Sequence, residues 1–250
     1  YEKDISNFDS NFKAADHESE AILDLCNDIH GFLIPDKQLK RDSLVEFSNA
    51  IPVLTEENLE NVSKFAIQHN KVVPRQVTDK TMETMMPFKQ EYASVPLYGF
   101  AASMDLGWIL RPRYEGNGSV IQLLQGIDAN AERKLRAKSS VLALFNLLMG
   151  SGSKQARALP IVKLTELMII VSNAPIPNLV HGAYADYAKL SMEILSAYYN
   201  AFNKNKSISI NVHCYGIKDC VSVGNLQPKV PQSLDSLIKS VIDDIENLMQ

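Results

Sequence analysis

An all-α chain of two helical lobes with one minor β-hairpin near the C-terminus is the fold this sequence predicts. Apolar residues recur at three- and four-residue spacing through most of the chain. A single run, residues 207–214, alternates polar and apolar in the period-two manner of a strand. Gly150-Ser151-Gly152-Ser153 interrupts the helical pattern near the middle and marks the expected hinge. These observations set an N-terminal lobe over 1–150, carrying an acidic arm, and a C-terminal lobe over 151–250.

The spacing of Ile22, Leu23, Cys26, Ile29 and Phe32 predicts a helix over 18–33, ended by Pro35. A second helix over 37–50 carries Leu39, Leu44, Val45 and Phe47. Thr55 is a good cap, Glu56 and Glu57 suit the positive end of the dipole, and Leu59, Val62, Phe65 and Ile67 line one face towards His69. A short helix over 81–86 stops at Pro87, and another runs from Pro96 through Met104 and Trp108 to Leu110. Residues 111–118 form a loop, because Pro112 and the Asn-Gly pair cannot continue a helix.

Ser119 with Gln122 has the spacing of a capping box for a helix over 120–127. The helix over 129–149 is clearly amphipathic only in its second half, at Val141, Leu144, Phe145 and Leu148. Residues 154–171 resume as helix and 178–203 form the longest one, with Leu179, Leu190, Ile194, Leu195 and Tyr198. The strand-like run is expected to pair with 221–223 as a small hairpin. Residues 233–249 repeat Leu234, Leu237, Val241, Ile245 and Leu248, a narrow apolar seam suited to docking on the chain's own core or on a neighbouring subunit.

Composition is that of an ordinary globule, with 46% apolar and 22% charged residues, so a disordered chain is excluded. No run approaches the roughly 20 apolar residues of a membrane span, and no membrane role is expected. Three cysteines, Cys26, Cys214 and Cys220, are sparse enough to predict reduced thiols and an intracellular, cytoplasmic protein.

Charge is distributed unevenly. Residues 1–62 hold fourteen Asp and Glu against five Lys and Arg, whereas 111–163 hold nine basic residues against three acidic. Arg111 and Arg113 fall in the loop beside Tyr114, and Arg133, Lys134, Arg136 and Lys138 crowd the start of one helix. Lys154, Arg157 and Lys163 follow the Gly/Ser tetrapeptide. At 100° per residue the four helix cations spread over about 200° of surface, which predicts a half-helix facing solvent or a polyanion rather than a core.

Arg supplies bidentate contacts to phosphate, Lys a mobile point charge, and Tyr114 a surface on which a base can stack. The competing reading is a solvated face balanced by the acidic N-terminal segment, from this chain or a neighbour.

No catalytic motif is present, and neither an enzyme nor a cofactor is expected. His213-Cys214 with Cys220, even joined by Cys26 and His30, lacks the paired spacing of a zinc site, so no metal is expected. The sequence therefore predicts a non-enzymatic binding protein. Its ten basic-surface residues, Arg111 to Lys163 above, would hold the backbone of single-stranded RNA. The acidic segment and residues 233–250 would serve self-assembly or a protein partner. Two-lobed helical nucleoproteins offer the architectural analogy. The alternative is a protein-interaction scaffold without nucleic acid.

Overall fold

A computed structural model describes residues 15–53, 97–115, 118–122, 126–150, 163–204, 207–218 and 220–249, with the backbone alone for 64–72 and 85–93. Among the described residues there are five α-helices and ten strands, the strands in five two-stranded antiparallel sheets, so the all-α expectation is overturned. The chain forms two compact units. One contains residues 1–48, 102–180 and 186–250, and the other 49–101 with 181–185. Both flanks of the Gly150–Ser153 tetrapeptide belong to the first unit, and residues 151–162 lie outside the described residues.

The first unit opens with two short helices, α1 (Glu18–Ala21) and α2 (Leu25–His30), in place of one long one. Asp24 caps α2 by accepting from the Asn27 amide at 2.9 Å. Gly31 ends it at φ 74°, where a Cβ would sit 2.3 Å from the Arg41 carbonyl oxygen. That close approach admits the hairpin of β1 (Phe32–Ile34) and β2 (Leu39–Arg41) where a helix was expected. Pro35 opens its turn and Gln38 closes it at φ 52°. β3 (Val45–Phe47) pairs with β8 (Ala102–Met104).

The second unit holds β4 (Ile51–Pro52) against β7 (Tyr98–Gly99), and β5 (Lys64–Val72) against β6 (Met85–Ala93) in a nine-residue register. The expected helices over 55–69 and 96–110 therefore give way to strand wherever strand is described there, and 54–63, with the Thr55 cap, lies outside the described residues. The same holds for most of 81–86; no helix is described over 120–127.

Three expected helices stand, with revised ends. They are α3 (Ala129–Leu148), α4 (Tyr187–Phe202) and α5 (Leu234–Leu248). The capping box is at Ser233 and Ser236, where α5 starts.

Between the helices lies the sheet of β9 (Leu167–Ser172) and β10 (Ile210–Tyr215), in register from Ser172 opposite Ile210 to Leu167 opposite Tyr215. The partner of the strand-like run is therefore 167–172, not 221–223. Leu167, Ile169, Val171 and Tyr215 pack on the core that α3 and α5 build from Ala137, Val141, Phe145, Leu237, Val241, Ile242 and Ile245. Met168, Ile170, Ile210, Val212 and Cys214 face the second core around Met192 and Leu195 of α4. A strand covered on both faces needs no polar alternation, which is why Leu-Met-Ile-Ile-Val passed for helix.

Cys214 and Cys220 form a disulfide with Cα atoms 6.2 Å apart, which replaces the expected reduced thiols at these two positions, while Cys26 takes no part in a disulfide. Among the described residues no group of three His, Cys, Asp or Glu side chains is placed to hold a metal ion.

His213, fully buried, donates from Nε2 to Asp244 at 2.8 Å, and Lys229 reaches the same carboxylate at 2.6 and 2.7 Å. Its Nδ1 is buried without a hydrogen-bond partner among the described residues. Burial pushes the His213 pKa below its ordinary 6.5, against the pull of Asp244 and with the push of Lys229. The unfolded chain thus takes up a proton below pH 6.5 that the folded chain resists. This contribution to stability is full above that pH and is lost on acidification. Urea unfolding of wild type and His213→Gln at pH 7.5 and 5.0 checks it. The expected outcome is a larger acid loss in wild type; equal losses contradict it.

Candidate nucleic-acid interface

The charge asymmetry resolves inside the first unit. Arg41, on β2, is buried and spends all five N–H groups. Nε donates to the Asp28 carbonyl at 2.9 Å, and Nη1 to Glu18 Oε1 and the Arg111 carbonyl, each at 2.9 Å. Nη2 donates to Asp28 Oδ1 at 2.6 Å and to the Trp108 carbonyl at 2.8 Å.

Arg136 of α3 reaches the other oxygen of Asp28 at 2.9 Å. It also donates to the carbonyls of Ile22 and Leu23, at 2.9 and 2.6 Å, and to Glu132 at 2.9 Å. Arg133 donates to the carbonyls of Ile109 and Gly107 at 3.0 and 3.2 Å. Glu18 and Asp28 are both fully buried, and burial pushes the Asp28 carboxyl upward against the pull of Arg136 and Arg41.

Arg133 and Arg136 are therefore interior residues, at 8% and 3% exposure, which corrects the expectation that this half-helix projects outward. The signal was available. Arg133 precedes Ala137, Val141 and Phe145 at four-residue intervals and continues their buried stripe. What the pattern does not carry is the pair of carboxylates that neutralises such a stripe. Burial, reinforced by the Arg111 charge, pushes the Arg133 pKa down.

The network holds the loop that follows Trp108. Asp28 accepts the Leu110 amide at 3.1 and 3.2 Å, fixing a buried leucine at φ 54°. Glu18 accepts the amides of Arg113 at 3.0 Å and Tyr114 at 2.8 Å. Glu115 returns the contact by accepting the amides of Glu18 and Ser19 at the start of α1. Gly118, at φ 67°, lets the Trp108 ring lie where a Cβ would meet it at 3.1 Å.

At the surface of this loop, Arg113 lies over the Trp108 ring at 5.3 Å and donates to Asp105 at 2.8 Å. Lys40 stands over the Tyr114 ring at 4.8 Å, and the Tyr114 hydroxyl donates to Asp42. Tyr114 is 54% exposed. Arg111 is half-buried, and its Nε has no hydrogen-bond partner among the described residues.

Of the ten residues expected to form one basic surface, the structure brings Arg111, Arg113 and Tyr114 together at this loop. Lys134 is half-buried on α3, and Lys138 pairs with Glu246 of α5 at 3.2 Å. Lys163 is exposed before β9, while Lys154 and Arg157 lie outside the described residues. Lys40 was missed because it sits in the acidic stretch, and only the hairpin fold places it beside Tyr114.

A family model described as CRISPR-associated negative auto-regulator DevR/Csa2 matches residues 1–192. A CRISPR-associated protein Cas7/Cst2/DevR of Thermoproteus tenax is 52% identical over 236 residues, covering 91% of this chain and 68% of that protein. One of Methanocaldococcus jannaschii is 34% identical over 229 residues, covering 88% and 67%. The chain thus spans about two thirds of the length of these relatives. A chain in a solved CRISPR RNA-guided surveillance complex, pre-nicking, aligns with a TM-score of 0.41 and 12% identity, over 89% of this chain and 56% of that one.

Proposed function

The chain belongs to the DevR/Csa2 family of CRISPR-associated proteins, and from that membership we propose that it is a non-enzymatic subunit that holds single-stranded RNA by its backbone. The observation that carries the reading is the loop cluster of Arg113, Tyr114 and Lys40. Its cations stand over exposed or half-exposed rings, on a backbone anchored to a buried carboxylate. Arg and Lys suit phosphate oxygens, and the rings offer stacking to any base, so binding without sequence reading is the mode this chemistry favours.

The plan differs from the helical-lobe nucleoproteins, because the cluster is set by a hairpin and a loop rather than by helix ends beside a hinge. A second reading, contact with a protein partner, has its own support. Leu135, Leu142 and Met149 of α3 and its C-cap are exposed at seven-residue spacing, and Leu190, Ile194 and Phe202 are exposed on α4. No described helix is long and apolar enough to cross a membrane.

Fluorescence anisotropy with a labelled single-stranded RNA of mixed sequence at low salt tests the proposal. The Arg113→Glu/Lys40→Glu variant is expected to bind about tenfold or more weakly than wild type, since both cations of the loop cluster reverse. Equal affinity, or no binding by wild type, contradicts it. Arg133 and Arg136 are unsuitable for such a test, because reversing them acts on the interior.

A further inference from the structure

We infer that Glu18 is a positioning residue for RNA binding, so that removing this negative charge weakens affinity for a polyanion; the inference rests on the RNA reading above. A Coulomb argument gives the opposite sign, since one carboxylate fewer near a phosphate backbone lessens repulsion. Geometry decides between them. Glu18 is fully buried, so it meets no ligand itself. Its two carboxylate oxygens accept three N–H groups: Arg41 Nη1 at 2.9 Å, the Arg113 amide at 3.0 Å and the Tyr114 amide at 2.8 Å.

The last two are consecutive backbone amides of the residues whose side chains form the exposed cluster. A carboxylate spanning both fixes the backbone that aims Arg113 over Trp108 and Tyr114 beneath Lys40. A glutamine in its place turns one acceptor into an NH₂ donor facing another donor. One loop amide or the Arg41 contact must then be given up. The anchor is fixed at its other end too, because Glu115, just after Tyr114, accepts the Glu18 and Ser19 amides and closes the loop onto α1.

A loop released in this way still reaches the bound geometry, but from a smaller competent fraction. Affinity then falls by that fraction while the number of phosphates contacted stays the same. The expected signature of Glu18→Gln is therefore about tenfold weaker RNA binding, the weight of one lost charge-assisted hydrogen bond, with an unchanged slope of log affinity against log salt. Loss of a contacting side chain, as in Arg113→Ala, instead lowers that slope by about 0.7. A variant merely destabilised as a whole, but still folded at the assay temperature, shows a lower melting temperature and an unchanged dissociation constant.

Two measurements on the full chain separate the inference from the RNA reading. Hydrogen exchange of the Arg113 and Tyr114 amides needs no ligand. Both are expected to be protected in wild type and at least tenfold faster in Glu18→Gln. Fast exchange in wild type, or equal protection in the variant, overturns the positioning role whatever RNA does. Protected amides in a protein that binds no RNA overturn the functional reading, and the role for binding with it. If Glu18→Gln does not fold, Glu18→Asp decides by the same criteria, because it keeps a negative charge in the interior while its shorter side chain draws the carboxylate back from the loop amides. Weaker binding at constant slope supports the inference; equal or tighter binding overturns it.

Discussion

Asp28→Ala destabilises the first unit by about 3–5 kcal/mol, the cost of removing one partner from a buried ion pair and leaving the others unpaired. Asp28 is where the acidic N-terminal segment and the basic middle meet. Its carboxylate takes Arg41 at 2.6 Å, Arg136 at 2.9 Å and the Leu110 amide at 3.1 and 3.2 Å. An alanine leaves two buried guanidinium groups with less than their counter-charge, and leaves a leucine at positive φ without the acceptor that holds it. At this chain length the loss corresponds to a fall in melting temperature of about 6–20 °C. Differential scanning calorimetry checks it, and a shift under about 3 °C would show that the network does not carry the fold. Asp28→Asn, which keeps one acceptor oxygen, is expected to fall between the two.

Deletion of residues 233–250 leaves the chain unable to fold, rather than merely unable to assemble. The apolar seam of this segment is spent within the chain: Leu237, Val241, Ile242 and Ile245 of α5 are buried against α3 and the β9–β10 sheet. Asp244 of the same helix neutralises Lys229 and anchors His213. Each large buried residue is worth about 2–5 kcal/mol when cut back to alanine, so removing four costs about 8–20 kcal/mol, as much as the roughly 5–15 kcal/mol that holds a typical domain together. The expected result is an aggregated or unfolded chain by far-UV circular dichroism. A soluble, cooperatively melting deletion variant would return the seam to a role between subunits. The milder Leu237→Ala is expected to fold, with a melting temperature lower by about 4–20 °C.

Much of the helical half was legible. The periodicities of 129–149, 178–203 and 233–249 lead to α3, α4 and α5, because each helix buries one stripe and exposes the rest. The strands were hidden for physical reasons. β9 is covered on both faces and shows no alternation, while β1, β2, β3 and β8 are only three residues long, too short for any period to register.

The opposite charges of the two segments were plain in the sequence, and so was the chance that one answers the other. Their division of labour was not. Arg136 turns inward because Asp28 lies across from it, a contact 108 residues away in sequence. Lys40 reaches the candidate site only because Gln38 turns the hairpin back on itself. The loop at 111–115 was the part of the site legible beforehand, since Pro112 and the paired arginines mark an exposed turn.

On the proposed reading this loop presents cations to an RNA backbone while Arg41, Arg133 and Arg136 hold the fold. The most direct measurement is the salt dependence of single-stranded RNA affinity for wild type and Arg113→Ala, each checked for an unchanged melting temperature. Log affinity is expected to fall linearly with log salt, and the slope is expected to be shallower by about 0.7 in the variant. A flat dependence in wild type, or identical slopes in the two proteins, would contradict it.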